Sequence, residues 1–278
     1  MHHIINLDSV KQALDTIGLE SLINGQEQAF VAYAQNKALV PPVGHIYFDQ
    51  PRGDCHIKYG HLLNENFFVV KIATTFYENI AHNLPSGNGL MVLLCRQTGV
   101  PKAIILDEGY LTDIRTALAG VIVARYLAPH HISKIGILGT GVQARLQLEF
   151  LKDFTSCKDV VIWGRDLKRL ALYKAEMQPK GFNIQTTQNI TDVTSMCNFI
   201  ITTTASKIPL LMAAQIQPGT HITAVGPDGG GKQELEAELF QKADICVVDS
   251  LPQCADFGDT SYALKKSLIK SNKLIELG

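Results

Sequence analysis

The sequence predicts an α/β protein of two domains, a parallel-sheet domain wound with helices on both faces and an α+β domain before it. Three observations predict this. From Ile132 onward, strand-like and helix-like segments alternate. The alternation begins with a strand that runs into a glycine-rich turn and a helix, Lys134-Ile-Gly-Ile-Leu-Gly139-Thr140-Gly141-Val142-Gln143-Ala144. Upstream, residues 43–110 hold short runs of β-branched and aromatic residues separated by turn residues, which favours antiparallel pairing.

The bulk numbers are compatible with that division. The chain has 278 residues, enough for one large or two modest domains. Apolar residues make up 46% and charged residues 18%, as in a packed globular protein. A formal net charge of -1 gives no basic excess for nucleic acid and no charge block for a membrane surface, so a small molecule is the expected partner. No apolar run approaches the ~20 residues of a spanning helix. The start, Met-His-His-Ile-Ile-Asn, lacks the charged opening and apolar core of a signal peptide. Cys55, Cys95, Cys157, Cys197, Cys246 and Cys254 form no CxxC pair, so they read as buried thiols in a reducing, cytoplasmic compartment. His45, His56 and His61 fall on strands without metal-ligand spacing, and no metal is expected.

The elements follow in order. Two helices fill the first forty residues, with Asp8-Ser9 as a cap for the first, a stop at Ile23-Asn24-Gly25 and a second helix over 27–38. Pro41-Pro42 ends helical structure, because proline restricts itself and its predecessor. Strands are expected over 43–49, 55–62, 67–76, 89–95 and 103–110. In 112–128, Ile114, Leu118, Val121, Ile122 and Arg125 recur on one helical face. Strands then fall at 134–138, 160–163, 182–186, 199–203, 221–225 and 245–249, with helices at 142–153, 167–178 and 232–243, giving a six-stranded parallel sheet. Residues 259–278 read as a last helical stretch returning to the first domain.

The turn after the first of these strands has the pattern G-x-G-x-x-A, the Rossmann dinucleotide fingerprint. Gly139 permits the tight turn, Gly141 admits backbone close to a pyrophosphate, and Ala144 keeps the helix near the strand. The expected cofactor contacts are Gly139, Thr140, Gly141, Val142, Gln143 and Ala144, joined by Thr204 and Val225 after the fourth and fifth strands. NAD-specific sites place a carboxylate at the end of the second strand; here Gly164 and Arg165 stand there. An arginine suits a 2′-phosphate, so NADP(H) is favoured and NAD(H) stays possible, with Asp166 as the alternative ribose contact.

A second glycine run, Gly226-Pro-Asp-Gly-Gly-Gly231-Lys232-Gln233, nearly matches a P-loop, and 245–249 resembles a Walker B strand. The match fails on chemistry, because Gln233 replaces the hydroxyl that would hold Mg²⁺.

Several blocks together resemble the ornithine cyclodeaminase / mu-crystallin family. They are His56-Ile-Lys-Tyr-Gly60, Val70-Lys71-Ile72-Ala73, Leu84-Pro85-Ser86, Asp107-Glu-Gly-Tyr-Leu-Thr-Asp-Ile-Arg115-Thr-Ala, the fingerprint itself, and Ala224-Val-Gly-Pro-Asp228. Their order and spacing match over nearly the whole chain. The resemblance implies a substrate-binding and dimerisation domain at 1–115, completed by 259–278, and a Rossmann NAD(P)-binding domain at 116–258. It implies a homodimer and chemistry on small amino or imino acids. The favoured activity is a ketimine reductase, which reduces Δ1-pyrroline-2-carboxylate or Δ1-piperideine-2-carboxylate to proline or pipecolate. Ornithine cyclodeaminase is the alternative, and a non-enzymatic NADPH-binding protein of the mu-crystallin kind is the third. Lys71, Arg115 and Asp228 take over the family's functional positions. Two departures stand out. Many members have an arginine after the Pro-Pro pair where this chain has Val43, and relatives continue a few tens of residues past Leu277-Gly278. The second leaves open a shorter subgroup or a truncated product.

The residues carry their own arguments. Lys71 interrupts an apolar strand and loses hydration there unless it meets an anion; an edge-strand lysine reaching water is the plain alternative. Arg115, expected in the first helical turn, is disfavoured by the macrodipole unless an anion shares the site; otherwise it pairs with Asp113 or Glu108. Asp228, after the fifth Rossmann strand, can exchange a proton with a substrate nitrogen, or simply make an Asx turn. Ser86 and Thr112 are weaker candidates. A hairpin centred on Asn64-Glu65 sets Lys58 directly opposite Lys71, and two lysines so placed repel unless an anion lies between them. Lys58 is therefore expected to replace the arginine missing at Val43, with Arg52 in reserve.

Overall fold

The computed structural model describes residues 3–227 and 229–278. The chain divides into two compact units, residues 1–115 with 278, and residues 116–277.

The first unit opens with β1 (His3–Asn6), α1 (Leu7–Ile17) and α2 (Leu19–Ala34), followed by β2 (Ala38–Leu39), β3 (Gly44–Phe48), β4 (Gly53–Leu62), β5 (Phe67–Phe76), β6 (Gly87–Cys95) and β7 (Pro101–Leu106). The strands form one sheet in the order β1-β7-β6-β5-β4-β2, with β3 also on β4. The β3–β7 strands pair antiparallel, and β1 adds in parallel at the β7 edge. β1 was not expected from sequence. Asn6, at its end, caps α1 by accepting from the Ser9 amide at 3.0 Å, so the cap lies two residues before the expected Asp8-Ser9. The expected stop at Ile23-Asn24-Gly25 is also corrected. α2 runs through Gly25 with Ile23 buried, and the break falls at Gly18, whose φ of 79° few side chains tolerate. Burial of Ile23 outweighs the ~1 kcal/mol helix penalty of a glycine.

The sheet is mostly half-buried, as antiparallel sheets with one covered face are. Gly89 and Gly109 set what covers it. A Cβ on Gly89 would lie 2.7 Å from the Ile72 carbonyl oxygen and 3.7 Å from Gly109 Cα. Gly109 itself has φ 85°. These glycines let the turn after β7 press onto β6 and direct the start of α3 (Tyr110–Leu127). Along α3, Ile114, Leu118, Val121 and Ile122 are buried on one face, as their spacing predicts.

The second unit contains β8 (Ile135–Leu138), α4 (Val142–Phe150), β9 (Asp159–Trp163), α5 (Leu167–Met177), β10 (Asn183–Thr187), α6 (Ile190–Met196), β11 (Phe199–Thr202), β12 (His221–Ala224), α7 (Glu238–Lys242), β13 (Cys246–Val248), α8 (Leu251–Asp256), α9 (Gly258–Lys265) and β14 (Leu274–Glu276). Its main sheet is all parallel with the order β10-β9-β8-β11-β12, the 3-2-1-4-5 order of a Rossmann fold. Every residue of β8 and β11 is buried, which explains their unbroken apolar runs.

Two expectations about the chain's end are corrected. The strand expected at 245–249 does not extend the main sheet. It pairs in parallel with β14, Cys246 opposite Leu274, and the Leu277 amide donates to the Val248 carbonyl at 2.9 Å. The tail thus satisfies that strand's backbone groups, and Ala237, Cys246, Val248, Ala263, Ile269 and Leu274 form a separate small core. For the same reason Asp259–Leu277 lies in the second unit, with Gly278 alone grouped with the first. The helix expected at 232–243 shrinks to Glu238–Lys242.

Candidate active site

In the first unit the chemistry gathers on one face of the β4–β5 hairpin. Lys58 pairs directly with Lys71, and Ile57 with Ile72. Directly paired residues share a face, so the two ammonium groups project to the same side. His56 and Asp54 continue that face along β4, 3.5 Å apart, and His45 of β3 meets the His56 ring edge-on at 4.4 Å.

Lys71 is the perturbed group. Its Nζ donates to Thr112 Oγ1 at 3.2 Å, which ties β5 to the first turn of α3. Burial lowers its pKa from 10.5 to about 7, helped by the positive charges of Arg115 and Lys58 and opposed by Asp107 and Asp113. Two cations and two carboxylates therefore surround it, and the cationic side together with burial prevails. The arrangement is a cationic cluster around a half-buried lysine whose pKa is drawn down to about 7.

Arg115 is exposed and lies in the second turn of α3, because the helix begins at Tyr110 and not at Thr112. The macrodipole argument for it therefore weakens, since that field fades within one turn; the electrostatic argument through Lys71 replaces it. Gln26 of α2 donates to its carbonyl at 2.8 Å. Arg52 is not part of this cluster by contact: it stacks over the Tyr77 ring at 5.0 Å. Ser86 is half-buried, and its carbonyl accepts from the Phe76 amide at 2.8 Å. Asp228 falls outside the described residues.

Sequence reasoning assigned no role to Asp107. It is 1% exposed, and its Oδ2 accepts from the Leu111 amide at 2.8 Å at the start of α3. Its Oδ1 is buried without a hydrogen-bond partner. An aspartate just ahead of a helix is a visible capping signal, but its closeness to Lys71 depends on the fold.

In the second unit the fingerprint turn has the form a dinucleotide needs. Gly139 has φ 114°, and a Cβ there would fall 2.5 Å from Thr203 Oγ1. A Cβ at Gly141 would meet nothing within 4 Å, and Gly141 caps α4 without a side-chain hydrogen bond. The first amides of α4 are thus left to a ligand, as pyrophosphate binding requires. Val142 is exposed, Gln143 half-buried and Ala144 buried, so the first two remain open to a ligand while Ala144 packs. Arg145, which follows the fingerprint, was not singled out from sequence. Its Nη1 donates to the Thr140 and Gly141 carbonyls at 2.5 and 3.1 Å, while Glu176 pairs with it and the Tyr173 ring lies beneath.

At the end of β9, Gly164 has a steric reason. A Cβ there would sit 3.0 Å from Thr140 Cγ2 and 3.2 Å from Leu170 Cδ2. Asp166 is occupied as the α5 cap, accepting from the Lys168 and Arg169 amides at 2.8 and 3.3 Å. Arg165 is exposed, its carbonyl held by Gln188 at 2.8 Å. Thr204 and Val225 follow β11 and β12; the Thr204 amide donates to Glu234 Oε1 at 2.5 Å and the Val225 amide to the Thr202 carbonyl at 3.1 Å.

A five-stranded parallel sheet in Rossmann order with an open fingerprint turn, in one chain with a sheet that carries a cluster of cationic side chains, defines the class of dinucleotide-binding proteins with a second domain. The chain belongs to the ornithine cyclodeaminase/mu-crystallin family, whose profile matches residues 6–278. It is 38% identical to an uncharacterized cyclodeaminase, y4tK, of Sinorhizobium fredii, over 87% of this chain and 74% of that one. An archaeal alanine dehydrogenase dimer with bound NAD is similar in structure, with a TM-score of 0.89 and 31% identity over 99% of this chain and 82% of that one. The Δ1-pyrroline-2-carboxylate reductase of Thermococcus litoralis, in complex with NADH and L-proline, gives a TM-score of 0.90 at 26% identity, over 99% of this chain and 84% of that one. The relatives are NAD(P)-dependent reductases, dehydrogenases and cyclodeaminases, and the chain is an enzyme of this kind. Among the described residues no helix is long and apolar enough to cross a membrane.

Proposed function

We propose that the chain is an NAD(P)H-dependent reductase of small cyclic imino acids, with Δ1-pyrroline-2-carboxylate or Δ1-piperideine-2-carboxylate as substrate and proline or pipecolate as product. The observation that carries this is the Lys58–Lys71–Arg115 cluster, which suits a carboxylate and leaves Lys71 with a pKa of about 7. Arg115 and Lys58 hold the carboxylate, Arg115 through its planar fork. Lys71 shares that anion and relays a proton toward the imine, which its near-neutral pKa permits. Asp228 exchanges a proton with the substrate nitrogen. Gly139, Thr140, Gly141, Val142 and Gln143 would hold the dinucleotide with Thr204 and Val225, and the buried Ala144 would keep the helix close to its strand. Bound there, a reduced nicotinamide would supply the hydride needed to reduce the C=N bond at C2, while Lys71 and Asp228 handle the proton at nitrogen. We further propose a preference for NADPH, because Arg165 is exposed beside Gly164 while Asp166 is committed to capping α5. Residues 1–115 serve substrate binding and dimerisation in this reading. The exposed Ile46, Tyr47 and Phe48 of β3 and Leu39 and Val40 near it support a homodimer. Six unpaired cysteines fit a cytoplasmic setting.

Ornithine cyclodeamination is the second reading, favoured by the likeness to y4tK. Lys58 weighs against it, since a diamino acid brings a second ammonium to a cluster already cationic. A protein that binds NADPH without turnover comes third. The test is oxidation of NADPH or NADH with a panel of cyclic imino acids, and with keto acids plus amines, run beside an ornithine deamination assay. Turnover of the cyclic imino acids supports the reductase; ammonia release from ornithine without it overturns it.

A further inference from the structure

The glycine run 226–231 and the lysine and glutamine after it are not used by the dinucleotide turn, yet they deliver a buried acid. Glu234 is 0% exposed. Its Oε1 accepts from the Thr204 amide at 2.5 Å, on the loop after β11. Its Oε2 has no hydrogen-bond partner and faces Gly226, where a Cβ would lie 2.3 Å away and equally close to the Thr204 carbonyl oxygen. Gly226 is therefore a glycine because Glu234 fills the space a side chain would take. The backbone around Glu234 is fixed from both sides. Its amide and that of Leu235 donate to Asp259 Oδ1 at 2.7 and 2.9 Å, and its carbonyl accepts from the Leu210 and Leu211 amides at 2.6 and 3.0 Å. Gly258, beside Asp259, approaches the other end of the same segment: its φ is 73°, and a Cβ there would lie 2.8 Å from the Pro227 carbonyl oxygen. On the far side of Thr204, Thr203 and Thr204 form the wall against which the fingerprint glycine Gly139 packs, within 3.2 Å of a Cβ built there.

We propose that Glu234 is a positioning residue: its buried carboxyl group locks the Thr203-Thr204 loop, which supports the dinucleotide turn, to the Gly226-Pro227 segment that leads into Asp228. One side chain then sets both the cofactor support and the segment before the proposed proton-exchanging aspartate. Burying a carboxyl group with one oxygen unpartnered is costly, and an apolar filler would serve packing alone better. The kinetic part of the inference rests on the reductase reading; the coupling of the two loops does not.

The experiment uses the full chain and the variants Glu234→Gln and Glu234→Ala. Hydrogen exchange is followed in peptides covering 199–206 and 221–231, with NADPH and NADH titrations and steady-state turnover alongside. Glu234→Gln keeps the acceptor for Thr204 and the shape against Gly226, so exchange, cofactor affinity and kcat should stay within about threefold of the unmutated chain. In Glu234→Ala both peptides should exchange about tenfold faster or more, together, with cofactor affinity and kcat reduced. Exchange that quickens in one peptide alone, or in neither, overturns the lock. So does a glutamine variant as loose as the alanine variant. If Glu234→Ala does not fold, Gly226→Ala presses on the same contact and should loosen both peptides; loosening of 221–231 alone overturns the proposal. Absent turnover in the unmutated chain, with the coupled exchange intact, would count against the reductase reading and not against the lock.

Discussion

Lys71 in the first unit and Glu234 in the second reach the same acidity from opposite sides. Burial is the first cause in both: it lowers the lysine to about 7 and raises the glutamate to about 7. The surroundings differ in kind. Lys71, on a half-buried antiparallel sheet, has four charged side chains for neighbours, namely Arg115, Lys58, Asp107 and Asp113. Glu234 is held by threonine hydroxyls and the Thr204 amide at the end of β11, whose residues are all buried, with Asp259 adding to its rise. Near neutrality each spends much of its time uncharged, yet only Lys71 has neighbours that an incoming anion would engage. Burial beside a like charge is common to both, since Asp259 acts on Glu234 as Lys58 and Arg115 act on Lys71; what differs is the sign of the charge and the exposed arginine beside the lysine.

The sharpest test of that contrast is removal of the proton-handling groups. Lys71→Met and Asp228→Ala should each lower kcat by about a hundredfold or more, with NADPH affinity from fluorescence titration nearly unchanged. Full turnover in either variant would remove that residue from the proton path.

A smaller effect separates the cations from one another. Lys58→Met should raise KM for the imino acid by about tenfold, the loss of one charge-assisted contact, with kcat less affected. It should also move a pH profile. The Lys71 ammonium is present below about 7, so carboxylate affinity is full there and declines as pH rises through that value. Removing the Lys58 charge lets the Lys71 pKa climb back toward 10.5, and the decline should shift to higher pH. An unshifted profile in Lys58→Met would mean the two lysines do not share an anion.

In the second unit, Arg165→Ala should weaken NADPH by about tenfold while sparing NADH, read from parallel titrations. Tighter binding of NADH than NADPH by the unmutated chain would defeat the cofactor preference at once.

The smallest expected effect is on stability. The folded pKa of Glu234 lies above its ordinary 4.5, so its contribution is whole below 4.5 and is lost as pH rises through about 7. Glu234→Gln does not titrate. Urea unfolding should therefore show the variant gaining on the unmutated chain, by on the order of 1 kcal/mol or more, between pH 4.5 and 7.5. A constant difference across that window would mean that the glutamate is ionised in the folded protein.

Much of this was legible in the residues. The 55–62 and 67–76 runs are rich in β-branched and aromatic residues, and centring their hairpin on Asn64-Glu65 sets the register and with it the Lys58–Lys71 pair. The fingerprint, its strand and its helix needed no structure, because each glycine has a local steric task. What was hidden depended on contacts distant in sequence. Asp107 meets Lys71 only once α3 folds over β5. Glu234 looks like one more charged residue after a glycine run until Gly226 and Thr204 close around it. The tail reads as helix because Leu274–Glu276 is short, and its partner, Cys246–Val248, reads as one more strand of the main sheet. Short strands carry little periodicity, so their partners are decided by which edge is free.

The four residues between β4 and β5 hold a consequence of another order. Leu63–Asn66 are exposed, and Asn64 takes a left-handed turn with φ 75°. Such tips tolerate gains and losses of residues. Here, however, one inserted or deleted residue that slid the strands by one position would bring Ile57 or Tyr59 opposite Lys71 in place of Lys58. Substrate choice in descendants of this chain would then change by a slip in length, with no codon for a binding residue altered.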